Sequence, residues 1–121
     1  HTQKNDDIER AYELLQSVLE KAPLHPGALN YMIHASDHPN RAYRARRAAE
    51  KYPAIDPASY YNEHVASHHF LALGQWKDFT MANAKAWEKE EAFAKKKNIN
   101  LENIGYQRTH SANSTVTVLC Q

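Results

Sequence analysis

The segments EKAPLHPGA (residues 20–28) and EKYPAIDPAS (residues 50–59) share a pattern of charged residues and prolines, thirty residues apart. In each segment, one residue separates a Glu-Lys pair from a proline, and a second proline follows three or four residues after the first. The Ala-Tyr pairs at 11–12 and 42–43, upstream of the two segments, also correspond. A period slightly above thirty residues indicates a chain built from repeated structural units.

The unit of the repeat is predicted to be a pair of helices. Apolar residues upstream of the first segment recur at three- and four-residue steps, as on one face of a helix. They are Ile8, Ala11, Leu15, Val18 and Leu19. This pattern predicts a lone helix at about 6–22, capped by Asn5 or Asp6. Two helix hairpins are predicted to follow, at about 26–52 and 57–96.

Short connections between these helices make sequential neighbours antiparallel. The predicted fold class is therefore all-α, an α-solenoid of antiparallel helix pairs. Residues 1–97 are assigned to one helical-repeat domain. Residues 98–121 are assigned to an uncertain C-terminal tail or a partial further repeat, because the stretch from Ser111 onward is rich in small and β-branched residues.

Individual residues predict where the helices begin and end. Pro26 is expected in a first helical turn, where its missing N–H is no loss. Asn40 is expected to cap the third helix and Pro53 to end it. The fourth helix is expected to begin near Pro57 and to end at Gly74, in a left-handed cap.

Composition excludes several classes of protein. The formal net charge is +1 at pH 7, and the basic residues are interspersed with acidic ones. Nucleic acid is not expected as a partner, because phosphate binding needs a concentrated basic surface. Apolar runs are too short for a membrane-spanning helix, so no membrane partner is expected. The single cysteine, Cys120, excludes an internal disulfide, and the compartment is taken as cytoplasmic by default.

The junction LALGQWKDF, residues 71–79, places a Leu-x-x-Gly-x-aromatic pattern between two predicted helices, with Ala82 and Ala86 beyond it. In this respect the chain resembles the tetratricopeptide-repeat family over roughly residues 7–96. The resemblance implies a superhelix of helix pairs. It also places Trp76 at the start of the fifth helix, where we expect the indole to be buried against the fourth helix.

Two histidine-rich stretches carry a second resemblance. They are HPGALNYMIH, residues 25–34, and YNEHVASHHFLALGQW, residues 61–76. Both are similar to motifs of bacterial repeat proteins of unsettled function, with the patterns H-P-G-A-x-H-Y-x-I-H and H-x-x-H-M-P-S-H-I-F-x-x-L-G-x-W. The chain departs from these patterns at Asn30 and Tyr61, where they have His, and at Ala66, where they have Pro.

The resemblance implies that the first helix of each pair lines a concave surface. His64 and His68 lie four residues apart on one face of such a helix, and His34 lies on the neighbouring one. The predicted ligand groove consists of Asn30, Tyr31, His34, Tyr60, Tyr61, His64 and His68. The predicted function is recognition or scaffolding, in which this groove binds a peptide, a partner protein or a small ligand, and no catalytic residue is predicted.

Two alternatives to a ligand groove remain open. His34, His64 and His68 would suffice to hold a transition metal such as zinc, in a metal-binding protein or a metal-dependent enzyme. The histidines would otherwise be interior polar groups that form hydrogen bonds between helices. His38 and His69 are expected to face solvent or a turn.

The ends of the predicted solenoid suggest a larger assembly. The chain begins with His1 and opens on half a repeat, which favours a fragment of a longer protein. An incomplete solenoid exposes an apolar helix face at its end, so a homodimer through the terminal helices is expected. The basic run RAYRARR, residues 41–47, is expected on an outer face, where it could at most bind an acidic partner.

Overall fold

The structure is a computed structural model that describes residues 3–98. This part of the chain consists of five α-helices and one 3₁₀-helix, Ala42–Ala45, and it contains no strand. The α-helices are α1 (Gln3–Lys21), α2 (Pro26–Ala35), α3 (Arg46–Ile55), α4 (Tyr60–Ala72) and α5 (Trp76–Lys97). The all-α prediction is confirmed. Apart from Asn98, the predicted tail at 98–121 lies outside the described residues.

Side-chain contacts define the direction of α5 relative to α4. Near the start of α4, the Tyr60 ring lies 6.0 Å from that of Phe93, late in α5. One turn further along α4, His64 contacts Asn83, which lies ten residues earlier in α5. The two helices therefore run antiparallel. None of the helices within residues 3–98 combines the length and apolar composition that crossing a bilayer requires.

The hydrophobic core is centred on α2. Its buried members are Leu29, Met32, Ile33, Ala45, Ala48, Tyr52 and Val65. Leu15 and Leu19 of α1 pack against this core but stay partly exposed. α1 contains no buried residue, because it contacts the rest of the described chain mainly through α2. The lone first helix is therefore the least buried part of the fold.

Two predicted helix boundaries are confirmed: the start of α2 at Pro26 and the left-handed cap at Gly74 after α4. Pro26 is the first residue of α2, and the His25 side chain caps that helix by accepting the Ala28 N–H at 3.1 Å. Gly74 follows α4 with a φ of 71°, in the left-handed region that glycine adopts readily. The N–H groups of Gly74 and Gln75 bond to the carbonyls of Leu71 and Phe70, which makes a Schellman cap.

Other boundary predictions were wrong. α1 already begins at Gln3, so neither Asn5 nor Asp6 caps it. Asn40 does not cap α3, because the chain first forms the 3₁₀-helix and α3 begins only at Arg46.

Two prolines also lie elsewhere than predicted. α3 continues past Pro53 to Ile55, because a proline near the end of a helix removes only one of its last hydrogen bonds. α4 begins at Tyr60 rather than near Pro57. The reason is Ser59, whose hydroxyl accepts the Asn62 N–H at 3.1 Å and so fixes the start of the helix.

Trp76 begins α5 as predicted, but it is not buried. Its exposed fraction is 49%, whereas Phe79, one turn later, is only 2% exposed. As the first residue of α5, Trp76 lies beside the Gly74 turn. The buried aromatic side chain in the first turn of α5 is therefore Phe79 and not Trp76.

Replacing the two aromatic residues one at a time tests this assignment. Phe79→Ala should lower the free energy of unfolding by about 3–5 kcal/mol, because it leaves a cavity in the interior. Trp76→Ala should cost only roughly 1–2 kcal/mol, because half of the indole already contacts water. Urea denaturation of both variants measures the difference, and a larger loss in Trp76→Ala would contradict the packing described here.

Candidate functional site

α2 and α4 lie side by side and run in the same direction. The Asn30 amide, midway along α2, donates a hydrogen bond of 3.3 Å to the Tyr61 hydroxyl, at the start of α4. Later in both helices, the ring centroids of His34 and His68 are 5.9 Å apart. A later residue of α2 thus contacts a later residue of α4, which means that the two helices are parallel. The side chains at these contacts form one continuous surface.

This surface is defined by Asn30, Tyr31 and His34 of α2 and by Tyr61 and His68 of α4, and it is called the tyrosine–histidine face below. Tyr31 is 66% exposed and Tyr61 is 43% exposed. His34 is also exposed, whereas Asn30 and His68 are half-buried between the two helices. Five of the seven residues predicted for the groove thus lie on one accessible surface.

Asn30 connects the two helices to α3. Its side-chain amide donates to the Tyr52 hydroxyl at 3.0 Å and to the Tyr61 hydroxyl at 3.3 Å. Tyr52 is buried, so these hydrogen bonds tie the exposed Tyr61 hydroxyl to a fixed point in the core. Tyr61 therefore presents an aromatic ring to solvent with restricted freedom, which lowers the entropy cost of binding a ligand.

Asp37, in the turn after α2, is a member of the site that sequence reasoning missed. Its Oδ2 lies 3.1 Å from His68 Nδ1, and the contact becomes an ion pair when the imidazole is protonated. A carboxylate only accepts hydrogen bonds, so Nδ1 carries the proton and the Nε2 of the neutral ring carries the lone pair. The signal in the sequence was an acidic residue three positions after His34.

His64 is buried beside the tyrosine–histidine face rather than exposed on it. It is only 3% exposed, and its Nδ1 lies 2.7 Å from Asn83 Oδ1 on α5. Asn83 donates its own Nδ2 to the Phe79 carbonyl at 2.9 Å, which leaves Oδ1 as the acceptor. His64 Nδ1 therefore carries a proton. Its ring also packs edge-on against His68, with centroids 5.2 Å apart.

Tyr60 is the other groove candidate that lies elsewhere. Its ring packs edge-on against Phe93 of α5, near the point where α4 begins. On the same side of α4, Glu63 Oε2 accepts a 2.6 Å ion-paired hydrogen bond from Lys89 Nζ. Tyr60 and His64 thus belong to the α4–α5 contact, which also includes the Glu63–Lys89 ion pair.

Two of the three histidines of the metal hypothesis each contact the third, His68. The His68 ring centroid lies 5.9 Å from that of His34 and 5.2 Å from that of His64. Across residues 3–98, no group of three or more His, Cys, Asp or Glu side chains is arranged to hold a metal ion. A zinc site at His34, His64 and His68 stays a prediction.

The prediction that His69 faces solvent or a turn is wrong, because the side chain is buried. It is 7% exposed, and its Nδ1–H donates to the Ala42 carbonyl at 3.1 Å, so it joins α4 to the 3₁₀-helix. His38, in contrast, lies exposed in the turn after α2, where its Nδ1 accepts the Asn40 N–H. The local sequence does not show that His69 is buried and His38 is exposed, because the burial of His69 depends on the Ala42 carbonyl, 27 residues away.

Partial loss of contact with water lowers the pKa of His34, which is only partly covered, and of the buried His69. Desolvation is the main cause for His34, the positive charge of a protonated His68 adds to it, and Asp37 opposes it. Desolvation also lowers the pKa of His69, against the opposing effect of the hydrogen bond to the Ala42 carbonyl. Both imidazoles therefore resist protonation more in the folded chain than in the unfolded one.

This difference predicts a loss of stability in mild acid. As the pH is lowered below about 6.5, the unfolded chain takes up protons before the folded chain does. The free energy of unfolding therefore decreases as the pH decreases. His69→Gln keeps an N–H donor for the Ala42 carbonyl but does not titrate, so its stability should fall less between pH 7.5 and pH 5.5. Urea midpoints at both pH values measure this, and an equal fall in variant and parent would exclude His69 as a cause.

Comparison of the chain with protein-family models, with curated proteins and with solved structures finds no match in any of the three.

Proposed function

We propose that the chain is part of a helical-repeat recognition module, similar to tetratricopeptide repeats, that binds a short extended peptide of a partner protein on the tyrosine–histidine face. The observation that carries this proposal is the pair of solvent-exposed tyrosines beside ordered polar groups. Tyr31 and Tyr61 are 66% and 43% exposed, and hydrogen bonds hold the groups between them.

The helix order supports the repeat part of the proposal. α2 with α3 and α4 with α5 are two successive hairpins, and the first helices of the two hairpins contact each other in parallel. Equivalent helices of neighbouring units meet in this way in a solenoid, because each unit stacks on the next with a small rotation. The first helices of both units then contribute to one surface.

The chemistry of the face suits a peptide. Tyrosine supplies contact area at a low entropy cost and is enriched where proteins bind partners. The imidazoles of His34 and His68, with the Asp37 carboxylate, offer both donors and acceptors for a peptide backbone. From Asn30 to His34 along α2 the surface is about 6 Å long, enough for about two extended residues.

Selection from a random peptide library tests the proposal. Purified protein should enrich related sequences, and their affinity should fall at least about tenfold in both Tyr31→Ala and Tyr61→Ala. Tyr43→Ala is the matched control, because Tyr43 is 65% exposed and lies on the 3₁₀-helix, outside the tyrosine–histidine face. Unchanged affinity in the two test variants, or loss only in Tyr43→Ala, would refute recognition by this face.

A second copy of the chain is proposed to cover α1. None of the residues of α1 is buried, and Leu14, on the side away from the core, is 67% exposed. Light scattering should give a mass above that of a 13.9 kDa monomer at high concentration, and Leu14→Glu should restore the monomer mass. A monomer mass for the parent protein at every concentration would contradict self-association.

A further inference from the structure

A second candidate site lies on the other side of α2. α1 and α3 both pack on α2, and between them they leave a cleft of about 620 Å³. The floor of the cleft is apolar and includes Leu29 and Met32, which are only 2% and 4% exposed. A volume of this size is in the range of protein ligand sites, roughly 300–1,000 Å³.

The walls of the cleft carry an excess of positive charge. Three arginines and one lysine line it, against a single glutamate, Glu20. This is a local concentration, because the whole chain has a formal net charge of only +1. The arginines come from the basic run at residues 41–47, which sequence reasoning assigned to an outer face.

One of these arginines holds the cleft together. Arg44 Nη1 bonds to Glu9 Oε1 at 2.9 Å, and its guanidinium lies 4.3 Å from the centre of the Tyr12 ring. Tyr12 is fixed further by Gln16, whose amide donates to the Tyr12 hydroxyl at 2.8 Å. Arg44 and its partners therefore join α1 to the 3₁₀-helix, and Arg44, Tyr12 and Gln16 all line the cleft.

Two cations further along the cleft are not neutralised in this way. Arg47 and Lys51 lie four residues apart on α3, both are exposed, and neither forms an ion pair within residues 3–98. Arg46, at the mouth, pairs only with the exposed Glu50 at 3.4 Å. An anionic ligand would thus meet two uncompensated positive charges above an apolar floor.

We infer that this cleft binds a short acidic peptide that carries one large apolar side chain. The apolar side chain would pack on the partly exposed Leu19, because Leu29 and Met32 beneath it are already buried. Carboxylates on either side of it would reach Arg47 and Lys51. The α1 wall from Tyr12 to Glu20 is about 12 Å long, which matches about four extended residues. Tyr43, which also lines the cleft, is 65% exposed, so the cleft can be reached from solvent.

The acidic-peptide site is independent of the proposed tyrosine–histidine face. At 100° per residue, Tyr31 points almost opposite to Leu29 around α2, so the two surfaces lie on different sides of the same helix. Their ligands also differ in charge, since the tyrosine–histidine face has the Asp37 carboxylate beside it and the cleft has Arg47 and Lys51.

Fluorescence polarisation with a designed probe tests the inference. The probe is a fluorescein-labelled peptide with one leucine flanked by two glutamates on each side. It should bind the intact protein at low salt, and binding should weaken as salt is added. A glutamine version of the probe should lose most of the affinity, and a version with alanine in place of leucine should bind several-fold more weakly.

Matched variants separate a built site from general charge attraction. Arg47→Glu combined with Lys51→Glu should weaken binding of the acidic probe at least tenfold, with an unchanged circular-dichroism spectrum because both side chains are exposed. Lys77→Glu combined with Lys95→Glu makes the same change in net charge on the exposed side of α5, and it should keep most of the affinity. Equal weakening in both double variants, or no binding to the parent protein at millimolar concentration, would overturn the inference.

Discussion

The packing of α2 against three other helices is the contact on which the rest of the structure depends. α2 has only ten residues, too few to be stable alone in water, so its helical form requires burial. Leu29 and Ile33 are almost completely buried, and small residues such as Ala45 and Ala48 let the neighbouring helix approach closely. Once these positions face the core, Tyr31 and His34 must face solvent beside α4.

The contact between α4 and α5 determines which histidines remain accessible. Small residues of α5, among them Ala82 and Ala86, are buried and allow the two helices to pack closely. His64 and Asn83 fill the space between them with a buried hydrogen bond, which costs less than leaving either group without a partner. This contact turns His68 toward α2 and Asp37, and it turns Tyr61 toward solvent.

The helices were predictable where the signal is local. Pro26 and Gly74 act through their own backbone geometry, so the residues beside them in the sequence suffice. The start of α4 at Ser59, the burial of His69 and the exposure of Trp76 were not predictable in this way. Neighbouring residues compete to cap α4 and to fill the interior beside it, and the burial of His69 depends on the Ala42 carbonyl, far away in the chain. The pairing of His64 with Asn83 likewise joins residues that no sequence periodicity connects.

The central claim is that α2 and α4 lie side by side in parallel and so present one ordered face. Nuclear Overhauser contacts in solution measure this most directly. The account predicts contacts between the Asn30 side-chain amide and the Tyr61 ring, and between the rings of His34 and His68, alongside those between Tyr60 and Phe93. Contacts between Tyr60 and Phe93 without either of the α2–α4 contacts would show that α2 and α4 do not form a common surface.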